Sequence, residues 1–379
     1  MPIVVLFYQS NNLGMKEVLF LQGVYSVAIV IFEIPSGYFA DILGRRTTLI
    51  TGSILGTLGF ALYSIGHGFW IFLFAEVVLG IGQSFISGAD SAILYDSLIC
   101  LKKEDKYLKY EGRLISIGNF AEAIAAIGGG LLAEMSLRTP YYFQIGIAFI
   151  AIPASILMTE PLSSSKKLST SFRHILKIVK FSLISNKRLR WNLFYSAIIG
   201  ASTLTMAWFI QPYLKYLDIS PAGIGILWSL LNLSVGITAF FAWKIERMIG
   251  KKTTILSIAL LVAGFYIIVS LNIGYFAIII FFLFYLVRGV ATPVLKDYIN
   301  KITESEIRAT VLSIRNFVIR INFAIIGPFL GWYTDAFSLR QALFLAGILF
   351  LTLGTYAALM FMIVQKNKVI SYFENNEKS

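Results

Sequence analysis

The sequence predicts an all-α integral membrane protein built from two six-helix bundles in tandem, and three observations lead there. Of the 379 residues, 57% are hydrophobic and 14% charged, whereas soluble domains are nearer half apolar and a quarter charged. The apolar residues form repeated segments of about 20 residues, the length that a helix needs to cross a bilayer. The heptapeptide GRRTTLI at 44–50 returns as GKKTTIL at 250–256, which indicates an internal repeat.

Eleven segments are long enough to span the membrane, and residues 1–10 add one partial crossing. The predicted spans are 17–40, 47–66, 70–99, 112–135, 141–159, 190–214, 221–243, 253–271, 275–295, 309–333 and 339–365. We interpret residues 1–10 as the outer half of an incomplete first helix, because the alternation of sides requires a crossing there. They lack the basic region that opens a signal peptide.

Basic residues mark one side of the predicted membrane protein. They concentrate in the loops at 45–46, 102–113, 166–190 and 244–252, whereas the opposite loops carry little more than Lys16, Arg138, Lys215 and Arg340. By the positive-inside rule the first group is cytoplasmic, and so are both termini. This distribution accounts for the net charge of +12 without a nucleic-acid partner. We expect a multi-pass, monomeric protein of the cell (inner) membrane.

The spans and the repeat divide the chain into four parts. We predict an N-terminal bundle at 1–160, a cytoplasmic linker at 161–189, a C-terminal bundle at 190–366 and a cytoplasmic tail at 367–379. Within the linker, apolar residues at 172, 175, 176, 179 and 183 recur at helical spacing opposite basic ones. This pattern predicts an amphipathic helix on the inner leaflet, and we favour a simple linker over a regulatory role.

The stretch GYFADILGRR carries the most specific motif of the chain. Its spacing matches the loop signature G-x-x-x-D-x-x-G-R-[RK] of the major facilitator superfamily at Gly37, Asp41, Gly44, Arg45 and Arg46. The chain resembles that family over nearly its whole length, and bacterial drug/proton antiporters in particular, which implies the major facilitator fold. The resemblance also implies that these five residues form a conformational latch between the cytoplasmic helix ends.

Elementary electrostatics agrees with a latch, because an acid such as Asp41 is stabilised beside a helix N-terminus. An arginine pair that only sets topology is the alternative, but it leaves Asp41 unexplained. The second copy of the repeat has Trp243 and Arg247 where the first glycine and the acid would stand. We therefore expect no equivalent latch there.

Ionisable residues within the predicted spans of the N-terminal half are few. Each costs roughly 2.5–3.5 kcal/mol on insertion scales, so each suggests a function. The second helix places Gln22, Ser26 and Glu33 on one face, and the fourth places Glu76, Gln83, Ser87 and Asp90 on another. Such polar faces favour a water-filled cavity over lipid. We predict Glu33, Asp90 and Glu122 as proton carriers, Glu122 packed among small residues, and the other residues as cavity lining.

The C-terminal half has basic residues instead, at Arg288 and Arg315. Two interpretations stay open: they bind an anion or pair with a proton carrier, or they form ion pairs that only hold one state closed. The aromatic residues Trp208, Trp228, Tyr25 and Tyr195 are further cavity candidates, since such rings stack on planar or cationic substrates. Packing against lipid or core is the alternative for each.

The resemblance implies a secondary active transporter that exports a small organic molecule in exchange for protons. The fourth helix has Glu76 where many of those antiporters carry arginine, and the glycines at 128–130 lack the antiporter proline, so antiport rests on general likeness. The alternatives are proton-coupled uptake of a nutrient or metabolite, and, from another class, a transporter-like receptor or a membrane-embedded enzyme.

Several functions receive no support from the sequence. We find no nucleophile and base at catalytic spacing, so we expect no enzyme. No phosphate-binding loop precedes the GKKT at 250–253, which argues against ATP as the energy source. The single Cys100 and the two distant histidines, His67 and His174, predict neither a metal site nor a cofactor.

Overall fold

A computed structural model describes residues 2–103, 107–160, 172–271, 273–304 and 307–365. No β-strand occurs among these residues, and short turns connect long helices. Thirteen α-helices follow one another in the described part: α1 (Val4–Ser10), α2 (Met15–Leu43), α3 (Arg45–Ile65), α4 (Phe69–Cys100), α5 (Tyr107–Met135), α6 (Thr139–Leu157), α7 (Phe172–Lys180), α8 (Lys187–Tyr216), α9 (Pro221–Ile249), α10 (Lys251–Ser270), α11 (Phe276–Asn300), α12 (Arg308–Ala336) and α13 (Leu339–Val364). The all-α class is confirmed.

Each of the eleven predicted spans coincides with one long helix, and residues 1–10 contain the short α1. Ten helices of the described part are long and apolar enough to cross a membrane. The long helix outside these ten is α5, with 29 residues; the side chains at 111–116 lie outside the description. The chain is therefore a multi-pass membrane protein.

The repeated heptapeptide forms the same turn twice. Gly44 joins α2 to α3 with a φ of 96°, and Gly250 joins α9 to α10 with a φ of 84°. This left-handed region strains residues with a side chain but suits glycine. Each glycine therefore ends one helix and begins the next without an intervening loop.

The chain forms two compact units. Unit 1 comprises Met1–Leu168 and Asp218–Ser229, and unit 2 comprises Ser169–Leu217 and Leu230–Ser379. In unit 1, α4 packs on α2 and α3, and α3 packs on α6. In unit 2, α8 packs on α12 and α13, and α13 also packs on α10. The domain limits predicted from the sequence stay a prediction.

The linker contains α7, followed by one turn of π-helix at Phe181–Ser185. Ile178 and Phe181 are buried in a cluster with Leu189 of α8 and Val311 of α12, whereas Leu176, predicted on the apolar face, is half exposed. The buried side of this segment thus packs on protein. A position on the membrane surface stays a prediction.

Unit 1 contains a close helix contact made by the first turns of α9. A Cβ on Gly225 would lie 2.5 Å from the Ala126 carbonyl oxygen, and one on Gly130 would lie 2.7 Å from that of Pro221. The hydroxyl of Ser229 also donates to the Ala123 carbonyl at 2.7 Å. Glycines therefore let α5 and the start of α9 touch along their backbones.

Candidate functional site

A buried carboxylate lies inside unit 1, on α4. The Oε1 atom of Glu76 accepts hydrogen bonds from the Tyr8 hydroxyl at 2.6 Å, from the Tyr63 hydroxyl at 2.7 Å and from the amide of Gln22. The four residues come from four helices, α1 to α4, and Glu76 is only 4% exposed. We call them the Glu76 cluster.

Aromatic rings surround the Glu76 cluster. The ring of Tyr63 stacks on Tyr141 at 5.2 Å between centroids and on Phe72 at 5.4 Å, and Phe7 lies 4.3 Å from Tyr141. No lysine, arginine or histidine of the described residues forms an ion pair with Glu76. Burial of a carboxylate among neutral rings is costly, and the three donors offset part of that cost.

The structure separates the other candidates on α2 and α4 from this cluster. Gln22 and Ser26 are buried, but Glu33, Gln83 and Ser87 are exposed and Asp90 is half-buried. The hydroxyl of Ser36 bridges the two helices by donating to the Ser84 carbonyl at 3.0 Å. The polar face predicted on α4 therefore has a buried end at Glu76 and a more open end toward Asp90.

Glu122 differs from its expected surroundings. It was expected among small residues, but it is exposed on α5, and no atom lies within 4 Å of a Cβ built on Gly118 or Gly129. The expectation of a packed Glu122 is wrong because the close contact of α5 uses a different face of the helix, the one with Ala126 and Gly130. Its role as a proton carrier stays a prediction.

The Gly44 turn has an acid partner that the sequence analysis missed. The backbone N–H groups of Arg45 and Arg46 donate to the two carboxylate oxygens of Glu160, at 2.7 and 2.6 Å. The guanidinium of Arg46 donates to the Ile156 carbonyl, and Arg45 Nε lies 3.7 Å from Asp96 Oδ2. Glu160 therefore caps α3, as expected for a carboxylate at a helix N-terminus.

One signal would have identified Glu160: an isolated acid directly after the last span of the first bundle. The side chain of Asp41 lies outside the described part, so its partner stays a prediction. Around Gly37, a built Cβ meets no atom within 4 Å. The contacts described above for Arg45 and Arg46 join residues of unit 1.

The Gly250 turn of unit 2 uses different chemistry. The ammonium of Lys251 donates to Gln365 Oε1 at 3.2 Å and lies 4.4 Å from the centre of the Tyr298 ring. The Tyr298 hydroxyl donates to Glu246 at 2.7 Å. Within the described residues, no carboxylate caps α10 as Glu160 caps α3.

The two arginines predicted in the second half are half-buried in unit 2. Arg315 Nε donates to the Ser196 hydroxyl at 2.5 Å, and the guanidinium of Arg288 lies 5.2 Å from the centre of the Tyr285 ring. Each retains N–H donors that a carboxylate or phosphate could accept. These two side chains can therefore hold a polar or anionic group.

The aromatic candidates divide into one core residue and three that are partly accessible. Tyr195 is fully buried, and its hydroxyl donates to the Ile255 carbonyl at 2.6 Å. Tyr25, Trp208 and Trp228 are half-buried. Only the last three present ring surface to a ligand in this conformation.

The fold and the sites define a multi-pass α-helical membrane protein with an internal repeat and ionisable groups within its spans. Residues 1–326 match the Major Facilitator Superfamily. The chain belongs to this superfamily of membrane transporters. The resemblance inferred from the loop motif is confirmed.

Curated relatives include drug-resistance proteins at low identity. Multidrug resistance protein 2 of Bacillus subtilis (strain 168) is 26% identical over 167 residues, 44% of this chain and 41% of the relative. The quinolone resistance protein NorA of Staphylococcus aureus (strain MSSA476) is 21% identical over 54% of this chain and 50% of its own length. The MFS-type transporter YxaM of B. subtilis (strain 168) is 22% identical over 97% and 92%.

Solved structures show the same fold. A mutant of the nucleoside transporter NupG superposes with a TM-score of 0.77 at 16% identity, covering 95% of this chain and 93% of that one. A bacterial homologue of the lysosomal transporter Spinster, inward-facing and unoccupied, gives 0.72 at 12% identity, with 96% and 91% covered. The predicted fold is confirmed.

Proposed function

We propose that this protein is a secondary active transporter that exports a small organic molecule in exchange for protons, by alternating access. The observation that carries the proposal is the division of charge between the units. Unit 1 holds the acids Glu33, Glu76 and Asp90 within its spanning helices, and unit 2 holds Arg288 and Arg315. Acids can load protons, and half-buried arginines can hold a polar substrate group.

The drug-resistance relatives support export of an apolar or planar compound, as their names describe resistance to several drugs or to quinolones. The half-buried rings of Tyr25, Trp208 and Trp228 offer stacking surface for such a molecule. The arginines add a donor for a carboxylate, which quinolones carry. A planar organic acid or zwitterion is therefore the substrate class that we propose.

Coupling would use acids whose side chains are not fully buried in the protein. Glu33 and Asp90 are accessible in this conformation, and with Glu122 they remain the carriers that we propose from the sequence. A carboxylate that is alternately exposed to water and buried can bind a proton on one side of the membrane and release it on the other. Arg45 and Arg46, with Gly37, Asp41 and Gly44, would stabilise one of the alternating states.

Localisation, topology and assembly state are also proposed. We propose an inner-membrane protein with both termini in the cytoplasm, since basic residues crowd the loops of one side. We also propose that it functions as a monomer. Uptake by proton symport is the alternative direction.

Transport in proteoliposomes tests the proposal. The purified chain is reconstituted, an inside-acidic pH gradient is imposed, and uptake of a radiolabelled quinolone and of a nucleoside is followed. We expect quinolone accumulation that a protonophore abolishes. Accumulation only under an inside-alkaline gradient would indicate symport, and flux that ignores the gradient would refute proton coupling.

A further inference from the structure

Three oxygen atoms of the Glu76 cluster form a closed triangle inside unit 1. Glu76 Oε1 contacts the hydroxyl of Tyr8 at 2.6 Å and that of Tyr63 at 2.7 Å, and the two hydroxyls also contact each other. All three side chains are almost fully buried, with exposed fractions of 4%, 0% and 2%. Each side of the triangle is a hydrogen-bond contact that needs one proton.

The number of protons decides whether the triangle is satisfied. With Glu76 ionised, the two tyrosines supply two protons for three oxygen–oxygen contacts, so one contact has none. With Glu76 protonated, Tyr8 can donate to Tyr63, Tyr63 to Glu76, and Glu76 to Tyr8, because a hydroxyl both donates and accepts. A third proton therefore closes the ring.

We propose that the Glu76 cluster is a proton-binding site within unit 1, distinct from Glu33, Asp90 and Glu122. On loading, a hydronium ion transfers its proton to a carboxylate oxygen of Glu76, an O–H bond forms and water is left behind; release is the reverse. The assignment of this proton to transport rests on the proposed function, whereas the binding site itself does not.

Glu76 is the carboxylic acid of the cluster, because the groups that face it are phenols and an amide. Tyr8 of α1, Tyr63 of α3 and Tyr141 of α6 are phenols, and Gln22 of α2 does not titrate. The hydroxyl of Tyr141 is buried without a hydrogen-bond partner among the described residues.

The structure also offers an entrance. A cavity of about 530 Å³ at one end of unit 1 is lined by Phe7, Asn11, His67 and Arg138. Arg138 donates to the Ser64 and Gly66 carbonyls, each at 2.9 Å, which fixes the cavity wall.

The ring of Phe7 lines that cavity and also lies beside the rings of the Glu76 cluster. The centre of the Phe7 ring is 5.5 Å from the guanidinium carbon of Arg138 and 6.2 Å from the centres of the Tyr8 and Tyr63 rings. Replacing this ring by a smaller side chain should therefore admit water. We expect Phe7→Ala to speed proton exchange at Glu76.

Infrared difference spectroscopy tests the site without a substrate. Purified full-length protein in lipid is titrated from about pH 5 to about pH 9, a range in which buried carboxyls are known to ionise. The carboxylic-acid C=O band should lose a component as the pH rises. Glu76→Gln should remove that component completely, while Glu33→Gln and Glu122→Gln, the matched controls, should keep it.

A component that persists in Glu76→Gln, or a Glu76 band that does not change over the titration, would overturn the proposal. If Glu76→Gln does not fold, Tyr63→Phe serves instead, since it removes one proton and two of the three sides of the triangle. The component should then titrate at a different pH, and an unchanged titration would equally overturn the proposal. Quinolone transport by the wild type is measured in a separate experiment. The infrared titration can therefore be interpreted even if the proposed transport function is wrong.

Discussion

The fourth helix of unit 1, α4, and its counterpart in unit 2, α11, share a scaffold but differ in one functional group. Gly80 packs against α2, where a Cβ would lie 2.7 Å from that of Ala28, and Gly289 packs against α9, where a Cβ would lie 2.0 Å from the Thr238 hydroxyl. Four residues before each glycine stand Glu76 and Tyr285, both buried. The repeat thus keeps a close glycine contact in both units and places an acid four residues before the glycine in unit 1 only.

The two glycine turns show the same division. At Gly44 the cap is a carboxylate, Glu160, whereas at Gly250 a lysine lies over an aromatic ring and contacts an amide. At these turns a carboxylate is the partner in unit 1, whereas an amide and an aromatic ring are the partners in unit 2. This difference supports the view that proton binding belongs to unit 1 and that unit 2 supplies donors to the substrate.

The largest expected effect concerns the donors of unit 2. Arg315→Leu should weaken quinolone binding tenfold or more, because hydrogen bonds to a charged group contribute about 1.5–3 kcal/mol. The apparent KM in proteoliposomes reports the change. Arg320→Leu, on the same helix, is the control and should leave KM within about twofold; equal effects of the two would remove Arg315 from the site.

The shared scaffold can be broken at its glycines. Gly80→Ala and Gly289→Ala should each destabilise the protein by about 1–3 kcal/mol, since the added methyl overpacks the helix contact. Thermal unfolding of the purified variants measures this. Gly264→Ala meets no atom within 4 Å and should be neutral or slightly stabilising. If only one of Gly80→Ala and Gly289→Ala lowers the thermal stability, the two glycine contacts are not equivalent.

The turns should respond more weakly and unequally. Glu160→Gln removes the charge that caps α3 and should cost about 1 kcal/mol. Lys251→Met keeps the apolar stem and removes a cation–π contact that contributes about 0.5–1 kcal/mol. The melting temperature should fall further for the first variant than for the second. The reverse order would contradict the ionic role of Glu160.

The smallest effect on transport is expected from cysteine substitutions that test the membrane topology. In a Cys100→Ser background, Lys103→Cys and Lys215→Cys should leave transport unchanged, because both side chains are exposed. A membrane-impermeant maleimide should label them from opposite sides. Labelling from one side would contradict the predicted alternation of the loops.

The lengths of the hydrophobic segments and the internal repeat were sufficient to predict the fold. Each predicted span became a helix because an apolar segment of that length has one stable form in lipid. The Gly44 and Gly250 turns followed from the repeated heptapeptide. Periodicity within one helix, however, does not identify the neighbouring helix.

Glu76 illustrates what periodicity could not reveal. It shares a helical face with Gln83, but its partner Tyr8 is 68 residues away in sequence. Glu160 follows the last apolar segment of the first bundle, and its contacts with α3 join residues more than 100 positions apart in the sequence. Such long-range contacts depend on helix packing, and the sequence of a single helix does not contain them.

The most direct test of the division between the units is pH-driven transport by Glu76→Gln. Substrate exchange and gradient-driven accumulation of the quinolone are measured on the same proteoliposomes. We predict that exchange survives near the wild-type rate, while accumulation driven by the pH gradient is lost. Accumulation that equals the wild type would contradict the role of the Glu76 cluster in coupling, because Glu33, Asp90 or Glu122 would then have to carry the proton.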